Sequence, residues 1–323
     1  MTRYLLALQV GLAAAVFFGL QRIVGVGSNA AVLLAAVLIV LARMAITGNN
    51  FRLAHRYRSG TPTPYRIGRR QALRLYLNEF IATMLSSSWT MPFRAFDQRP
   101  AKHPVGVPVL LIHGYGCNSG YWQSMSRALQ AASVSHHAVS LEPILAPIDD
   151  YVPHIAQAVE TLMNESACAQ IILVCHSMGG LVARAYLRAH GARNIARVIT
   201  LGTPHQGTGL ALHGAGENSR QMQFIGSAED GQASDWLQTL AHSEDAASRA
   251  LFVSIYSHHD NIVAPQTSSH LEGATNIALP GIGHVALGSD RQVQALVLAQ
   301  IRQASRACAT TEALIDSDGS SRF

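Results

Sequence analysis

The 323-residue sequence is 49% hydrophobic and 13% charged, which provides enough apolar residues for one large buried core. Its formal net charge of +5 originates in the first quarter, because residues 1–78 contain ten arginines and no acidic residue. This basic stretch adjoins apolar runs and is not interleaved with aromatic residues that stack on bases. The composition therefore argues against a nucleic-acid-binding protein and favours anionic lipid headgroups as the partner.

Two apolar runs, at residues 4–20 and 23–47, begin the chain. Each approaches the roughly 20 residues that a membrane-spanning helix needs. The sequence therefore predicts a membrane anchor over residues 1–48, formed by a transmembrane helical hairpin. A single anchor is one alternative, and a cleaved signal peptide at the first run is another, although no A-x-A cleavage site follows it.

Arginines predict the orientation of this hairpin. They are concentrated after the second run, whereas the connector between the runs carries only Arg22. By the positive-inside rule, both termini and the bulk of the chain should lie in the cytoplasm, at the inner membrane of a bacterium. Four cysteines at irregular spacing form neither a zinc signature nor a disulfide framework, which is compatible with a reducing compartment.

Residues 49–104 are predicted to form a basic linker and a membrane-proximal helix. The turn-rich "SGTPTP" at residues 59–64 indicates the linker. Beyond it, apolar residues from Leu73 to Met84 recur at helical spacing beside several arginines. Two interpretations are open: a helix lying on a membrane surface, or an ordinary helix packed on the globular domain.

From residue 105 to 307, short apolar runs alternate with helical patterns, which predicts one α/β domain. The predicted strands are "VPVLLIH", "HHAVSL", "AQIILVCH", "ARVITLG", "LFVSIYS" and "ATNIALP". Helices are predicted at residues 121–132, 151–164 and 178–189. Because the strands are apolar throughout, we expect a mostly parallel, doubly wound sheet covered on both faces.

Two further segments interrupt or end this alternation. About forty residues, 208–250, separate two predicted strands, which is too many for a plain connection. We expect a lid over the strand ends, with an ordinary helical excursion as the alternative. Residues 308–323 are predicted to form a flexible C-terminal tail.

Ser177 is the candidate nucleophile. It follows the strand "IILVC" and precedes the helical "MGGLVARAYL", as in the strand-to-helix turn that presents a catalytic serine. Cys175 occupies the position at which the Gly-x-Ser-x-Gly pattern has its first glycine. Since Cys175 is also small and should point into the packing of the strand, we interpret it as a tolerated replacement and not as a nucleophile.

An acid and a base follow in the chain order expected for this fold. A serine hydroxyl needs a histidine to take its proton and an acid to orient that histidine. Asp260 follows the strand "LFVSIYS", and His284 follows "ATNIALP". Competing acids stand near other strand or helix ends, but none pairs as well with the strand before the histidine. These competitors are Glu142, Asp149, Asp150 and Asp290.

The tetrahedral intermediate also needs amide donors at its oxyanion. The N–H of Met178, directly after the serine, is one, and the N–H of Tyr115 in the loop "HGYGCNSGYW" is predicted as the other. A glycine-rich loop of this kind also suits a phosphate, but it lacks the lysine and spacing of a P-loop.

Together, the motifs "HGYG", "CHSMGG", "LGTPHQGT", "HHDNIVAP" and "GIGHVALG" resemble the α/β-hydrolase superfamily, and within it bacterial triacylglycerol lipases and related esterases. The resemblance covers residues 104–302 and implies hydrolysis of acyl esters or lipids through an acyl-enzyme on Ser177. His205, in "GTPHQG", is a candidate substrate-binding residue. "WLQTL" in the long insertion resembles a segment of such lipases, which adds Trp236 as a second candidate.

No cofactor and no metal ion are predicted, because no calcium ligand set of such lipases is matched. The sequence favours a membrane-anchored serine lipase or carboxylesterase. An acyltransferase, a thioesterase or a lipid-remodelling deacylase on the same fold is the main alternative. A non-catalytic membrane scaffold is a third, which would be favoured if replacement of Ser177 left every biological effect intact.

Overall fold

The structure, a computed structural model, describes the backbone of residues 2–319 and, except at residues 2, 4, 5 and 311–319, their side chains. The first residue of the predicted anchor and the last four residues of the predicted tail lie outside this part of the chain.

Helices form the whole N-terminal region. They are α1 (Thr2–Arg22), α2 (Ser28–Tyr57), α3 (Arg69–Leu85) and the short α4 (Met91–Phe93), with a π-helical turn at Ser86–Thr90 between the last two. Helix α2 runs past the predicted anchor boundary at residue 48 without a break. The first nine residues of the predicted linker are therefore helical, since nothing in "NNFRLAHRY" ends a helix.

One helix in the described residues, α2, is long and apolar enough to cross a membrane. The described apolar part of α1, Leu6–Arg22, is shorter. The structure thus shows two apolar helices packed against each other, as the predicted hairpin requires, and the described residues of one of them are long and apolar enough to cross a membrane.

A seven-stranded sheet forms the centre of the α/β domain, in the order β1-β3-β2-β4-β5-β8-β9. Strand β1 is antiparallel to β3, and the other pairs are parallel. The seven strands are β1 (Gln98–Arg99), β2 (Val109–Ile112), β3 (His136–Val139), β4 (Ile171–His176), β5 (Ile195–Leu201), β8 (Phe252–Ser257) and β9 (Thr275–Leu279). A separate two-stranded sheet consists of β6 (Phe224–Ile225) and β7 (Gln232–Ala233).

All six predicted strands are present, and the predicted doubly wound, mostly parallel sheet is confirmed. The sequence missed β1, whose two exposed residues carry no apolar pattern. Register places the ends of the strands at one edge, because Ile112 pairs with Cys175 and Cys175 pairs with Thr200. Loops that follow β2, β4 and β5 therefore start side by side, as open parallel sheets require for a shared site.

Helices cover both faces of this sheet. They are α5 (Gln123–Ala131), α6 (Val152–Ser166), α7 (Met178–His190), α8 (Glu217–Gln221), α9 (Asp235–His242), α10 (Ala246–Ala250) and α11 (Arg291–Gly319). The three predicted helices correspond to α5, α6 and α7. Helix α11 continues to Gly319, so the backbone of residues 308–319 is helical, and the flexibility of the tail stays a prediction.

Alternate residues of β4 belong to two separate cores. Leu173 and Cys175 pack with α6 and α7 on one face, whereas Ile172 and Val174 pack with α5 and α11 on the other. All four side chains are fully buried. Both faces of the central strand are thus covered, which explains why its sequence is apolar without alternation.

The long insertion, residues 208–250, is structured and bound to the rest of the domain. It comprises α8, β6, β7, α9 and α10. At its end, Glu244 receives two hydrogen bonds from Arg184 of α7, at 2.6 and 2.8 Å, and both side chains are buried. These contacts anchor the insertion to the helix that follows Ser177. That the insertion acts as a lid remains a prediction.

The predicted linker also contacts the domain. Ser59 donates its backbone N–H to the side chain of Gln266 at 3.2 Å, and the ring of Tyr65 packs on His258 with centroids 4.6 Å apart. Both partners flank Asp260 in the chain. The segment between α2 and α3 therefore lies against the loop that carries the predicted catalytic acid.

Candidate active site

Ser177 lies at the turn between β4 and α7, as predicted from the sequence. Its φ of 54° and ψ of −126° are unusual for a residue other than glycine, and such strain is found where a fold enforces it at a functional site. Two hydrogen bonds enforce it here: Ser177 N–H donates to Leu201 at 2.9 Å, and Thr203 Oγ1 donates to the Ser177 carbonyl at 2.8 Å.

Cys175 packs in the interior. Its side chain is fully buried in the core beneath α7, and burial raises the pKa of the thiol above its ordinary value. A thiol in such surroundings remains protonated and is a poor nucleophile. The structure thus supports the interpretation of Cys175 as a packing residue behind Ser177.

His284 and Asp260 form a buried hydrogen-bonded pair. The distance from His284 Nδ1 to Asp260 Oδ2 is 2.8 Å, and the other carboxylate oxygen of Asp260 accepts the N–H groups of Ile262 and Val263, each at 2.8 Å. Because a carboxylate accepts only, the shared proton lies on Nδ1 and leaves Nε2 of His284 as the free base.

The electrostatics of the pair favour a proton-accepting histidine. Burial alone lowers the pKa of His284, but the charge of Asp260 and the hydrogen bond to it act in the opposite direction, with a further contribution from the charge of Glu79. The net effect raises the pKa above its usual value near 6.5. His284 is therefore a stronger base than an isolated buried histidine.

Gly202 explains how closely the pair is packed. A Cβ at this position would lie 3.0 Å from Asp260 Oδ2 and 2.7 Å from the side chain of Leu287, and the residue has a φ of +57°. Both the space and the backbone conformation require glycine. This glycine begins the motif "GTPHQG", so that motif supports the acid and the base as well as Ser177.

The loop after β2 passes directly beside Ser177, where the oxyanion donors are expected. A Cβ on Gly114 would lie 2.7 Å from the Cβ of Ser177. The side chain of Tyr115 is held by Ala215 of the insertion, through an O–H to carbonyl hydrogen bond of 2.8 Å. The geometry is compatible with backbone N–H donors at Tyr115 and at Met178, the first residue of α7.

His113, which the sequence reasoning missed, orients this loop. Its Nδ1 lies 2.8 Å from the carbonyl of Gly114, and its Nε2 lies 3.0 Å from the N–H of Leu141. A carbonyl accepts and an amide donates, so the proton is on Nδ1. Burial lowers the pKa of His113 to about 4, which keeps the ring neutral. The ring thereby fixes the peptide whose nitrogen belongs to Tyr115.

His176 is a second residue that the sequence reasoning did not place in the site. Its ring lies between Tyr121 and His284, with centroid distances of 4.3 and 4.6 Å. Its Nε2 lies 3.0 Å from the carbonyl of His284 and donates to it. His176 therefore packs behind His284, the predicted base, and holds its backbone. Only the position directly before Ser177 in the sequence signals this role.

The two predicted substrate-binding residues have side-chain partners within the protein. The buried imidazole of His205 faces Thr200, 3.2 Å away, and Phe252 at the start of β8. Trp236 donates its indole N–H to Asp149 at 2.8 Å and lies beside Arg188. Arg188 is three turns along α7 from Ser177, so Trp236 contacts the far part of that helix. A role of His205 and Trp236 in substrate binding stays a prediction.

Two of the acidic competitors of Asp260 have other partners. Asp149 binds the indole of Trp236 and the guanidinium of Arg188, and Asp290 accepts the N–H groups of Gln292 and Val293 at the start of α11. Within the part of the chain that the structure describes, no group of three histidine, cysteine or acidic side chains is placed to hold a metal ion.

Comparison with solved structures finds proteins of the same architecture. The mature lipase BlEst2 of Bacillus licheniformis matches with a TM-score of 0.53 and 18% identity, over 64% of this chain and 97% of that chain. Lipase B of Aspergillus fumigatus matches with a TM-score of 0.50 and 18% identity, over 59% of this chain and 51% of that chain. The chain has the α/β-hydrolase fold. The fold that the motif resemblance implies is thereby confirmed.

Sequence comparison adds a second group of α/β-hydrolases. The family model for palmitoyl protein thioesterase matches residues 108–242. A curated relative, lysosomal thioesterase PPT2-B of Xenopus laevis, is 25% identical over 115 residues, which is 33% of this chain. The matched part spans 39% of the length of that relative. The named α/β-hydrolases are lipases and a thioesterase, and these names agree on hydrolysis of acyl compounds.

Proposed function

We propose that the protein is a serine hydrolase that cleaves acyl esters through Ser177, His284 and Asp260. The observation that carries the proposal is the strained turn at Ser177 together with the buried His284–Asp260 pair at 2.8 Å. Three independent strand ends supply these side chains. Such an arrangement is costly to build and has a direct use in acyl transfer.

The chemistry proceeds in two half-reactions. His284 Nε2 takes the hydroxyl proton of Ser177 while Oγ forms a bond to the ester carbonyl carbon, and the oxyanion accepts hydrogen bonds from the Met178 and Tyr115 amides. Collapse breaks the bond to the alcohol, which leaves with the proton held by His284. Water then gives its proton to His284, attacks the acyl-enzyme and releases the carboxylic acid as Ser177 Oγ regains the proton.

A thioester is the second candidate substrate. The match to the palmitoyl protein thioesterase family model and to a thioesterase of Xenopus laevis favours it. The same two half-reactions apply, with a thiol as the leaving group. Because a thiolate leaves more easily than an alkoxide, a thioesterase depends less on protonation of the leaving group by His284.

Turnover of matched substrates tests the proposal. Purified protein is assayed with p-nitrophenyl esters, acyl-CoA thioesters and glycerides over a series of acyl chain lengths, and a fluorophosphonate probe counts reactive Ser177. Higher kcat/KM for oxygen esters supports the lipase or carboxylesterase assignment, whereas higher kcat/KM for thioesters supports the second candidate. If the probe fails to label the wild-type protein and no substrate is hydrolysed, the proposed function is wrong.

The N-terminal helices support a membrane-anchored form of this enzyme. Only 17% of the apolar window of α2 is buried, unlike a core helix of a soluble domain. Helix α3 adds a ridge of apolar side chains four residues apart, which continues through the π-helical turn into α4. These side chains, between 38% and 60% exposed, are Leu73, Leu77, Ile81, Leu85, Trp89 and Phe93.

We propose that this ridge lies in the bilayer interface beside α1 and α2. An exposed apolar ridge flanked by arginines is typical of helices at membrane surfaces, and Arg66, Arg69, Arg70 and Arg74 are all exposed at the first end of α3. The mouth of the site would then be held near lipid substrates. The cytoplasmic orientation remains a prediction, and the names of the relatives do not support the bacterial inner membrane in particular.

Flotation with vesicles tests this placement. A Leu77→Asp, Ile81→Asp double variant should weaken binding to vesicles that contain anionic lipid, and an Asn78→Asp variant on an exposed position beside the ridge serves as the control. Equal flotation of the double variant and the control would contradict a role for the ridge.

A further inference from the structure

Glu79 is a buried acidic residue outside the predicted catalytic set. It lies in the middle of α3, and only 1% of its surface is exposed. The apolar ridge of α3 occupies the outer side of the same helix, whereas Glu79 faces the α/β domain. A buried carboxylate costs several kcal/mol unless hydrogen bonds satisfy its oxygens.

Both oxygens of Glu79 accept hydrogen bonds from the loop that carries the catalytic base. Val285 N–H donates to Oε1 and Ala286 N–H donates to Oε2, each at 3.0 Å. These amides belong to the two residues that directly follow His284. Each carboxylate oxygen of Glu79 thus binds one backbone amide of the loop that carries His284. Glu79 and Val285 are 206 residues apart in the chain.

Gly283, directly before His284, lies against the same carboxylate. A Cβ at this position would be 2.5 Å from Oε2 of Glu79 and 2.8 Å from its Cβ. Any larger residue would push the carboxylate away from the loop. The close approach of Glu79 therefore explains the glycine at position 283 of "GIGHVALG". The catalytic histidine itself does not require it.

The remaining contacts of the loop come from within the α/β domain. Asn261 accepts the N–H of His284 at 2.9 Å, and His176 donates to the carbonyl of His284 at 3.0 Å. Tyr121 donates its hydroxyl to the carbonyl of Val285 at 3.2 Å. Glu79 adds a support that comes from the N-terminal helices.

Charge gives Glu79 a second effect. The titratable groups around His284 are Asp260 from the loop after β8, His176 from the turn before α7 and Glu79 from α3, with Tyr121 next to Glu79. Burial, with a smaller contribution from the charge of Asp260, raises the pKa of Glu79 above its ordinary value, although the two amide hydrogen bonds and the charge of His284 act in the opposite direction. In its ionised form Glu79 adds to Asp260 in stabilising a protonated His284.

We infer that Glu79 is a positioning residue for His284: its carboxylate fixes the loop that presents the imidazole to Ser177 and couples α3 to the catalytic base. This inference rests on the proposed serine hydrolase function. Misplacement of a catalytic group by about 1 Å lowers turnover by up to about a hundredfold. Glu79 therefore acts through the geometry of His284 and does not touch the substrate.

The test compares Glu79→Gln and Glu79→Asp in the full-length protein with a matched control, Leu75→Ala. Glutamine keeps the size of the side chain but places an NH₂ group against one of the two amide donors and removes the charge. Aspartate keeps the charge but is one methylene shorter and cannot hold both amides. Leu75 is buried one turn away on the same helix, so its truncation reports packing loss alone.

Three measurements are made on each variant: kcat and KM for a short-chain ester, the acid limb of the pH profile of kcat/KM, and the thermal midpoint. Fluorophosphonate labelling normalises every rate to the number of reactive serines. We expect Glu79→Gln to lower kcat about tenfold to a hundredfold with KM nearly unchanged, and to move the acid limb to lower pH. Glu79→Asp should lose less kcat and keep the acid limb near that of the wild type. Leu75→Ala should lower the midpoint and leave the acid limb in place.

Two outcomes would overturn the inference. One is an active wild-type enzyme whose Glu79→Gln variant, per labelled serine, retains kcat and the acid limb. The other is a Glu79→Gln variant that loses only thermal stability, as Leu75→Ala does. If Glu79→Gln fails to fold, the kcat and acid limb of Glu79→Asp decide the question. A wild-type protein that neither labels nor hydrolyses esters would refute the proposed function itself, and this inference with it.

Discussion

The α/β domain and the N-terminal helices are both rich in apolar residues but use them in opposite ways. Every residue of β4 is buried between two cores, whereas most of the apolar window of α2 is exposed. Apolar surface costs about 25 cal/mol per Å² in water, so an exposed helix of this kind calls for a second apolar phase. Composition alone does not distinguish the two regions, but the burial of their apolar residues does.

These regions meet at the loop that carries His284. The α/β domain supplies Ser177, Asp260 and His284 from three strand ends, and α3 supplies Glu79 to the amides beyond His284. The proposed reactive groups thus all lie in the α/β domain. Glu79, which we propose to position one of them, lies in the N-terminal helices. Variants in each region should therefore differ in size of effect, as the following predictions specify.

The largest effect is expected inside the α/β domain. Ser177→Ala removes the nucleophile and should lower kcat by about a millionfold, as loss of a triad serine does elsewhere. Because the change removes only one oxygen atom from a buried turn, the thermal midpoint should change little. Steady-state ester assays measure kcat, and calorimetry measures the thermal midpoint. Turnover at a tenth of the wild-type rate would exclude Ser177 as the nucleophile.

Asp260→Asn should have the next largest effect, about ten-thousandfold on kcat. The amide can donate a hydrogen bond where the carboxylate accepted one, which favours the wrong tautomer of His284. His284→Ala serves as the comparison, since both variants act through the base. Full activity of Asp260→Asn would refute the assignment of the acid and direct attention to another carboxylate.

How much of this was visible in the sequence differs between the regions. Strands, the nucleophile turn and the order of Ser177, Asp260 and His284 follow from local patterns, because each residue stands next to the strand that positions it. His205 and Trp236 were predicted from short motifs, but their side chains point into the core and toward Asp149. A motif fixes the chain position of a residue and not the direction of its side chain.

Glu79 and His113 were missed for a related reason. The hydrogen bonds of Glu79 connect positions 206 and 207 residues apart, and no periodicity or spacing encodes such a contact. A signal was available in retrospect: Glu79 is the first acidic residue after 78 residues without one, at a helical position between apolar neighbours. The role of His113 depends on its tautomer, which only the two hydrogen bonds of the folded loop define.

The pH dependence probes the boundary between the regions, because both Asp260 and Glu79 act on His284. Their charges raise the pKa of His284, and the neutral form is the base. As the pH falls through this raised pKa, kcat/KM should decrease about tenfold per pH unit, with the midpoint of the acid limb above the ordinary value of about 6.5. Rates measured from about pH 5 to 8 test this. A midpoint below the ordinary value would show that burial outweighs the two charges.

Deletion of residues 1–48 should have a smaller effect on chemistry. The shortened chain keeps α3 and Glu79 but loses α1 and the first part of α2, including the carbonyl of Met44 that accepts the hydroxyl of Tyr76 at 2.7 Å. We expect kcat for a soluble ester within about threefold of the full-length value, because the catalytic groups and their hydrogen bonds remain. Membrane binding should fall, and the residual binding measures the contribution of the α3 ridge. A loss of activity as large as that of Glu79→Gln would show that α3 needs α2 to hold Glu79 in place.

The smallest effect on chemistry is expected at Cys175, although it is close in sequence to the nucleophile. Cys175 lies two positions before Ser177, yet its side chain is buried in the core on the far side of the turn. Cys175→Gly should therefore keep kcat within about twofold while lowering stability by about 1–3 kcal/mol, through the cavity it leaves and the added freedom of the unfolded chain. Denaturant unfolding and ester turnover measured on the same preparation separate these effects, with Cys168→Gly outside β4 as the control. If Cys175→Gly lost turnover while remaining folded, the sulfur would be part of the catalytic geometry. If Cys175→Gly retains turnover and Glu79→Gln loses it, a residue close to Ser177 in sequence matters less for catalysis than a distant residue that contacts the His284 loop.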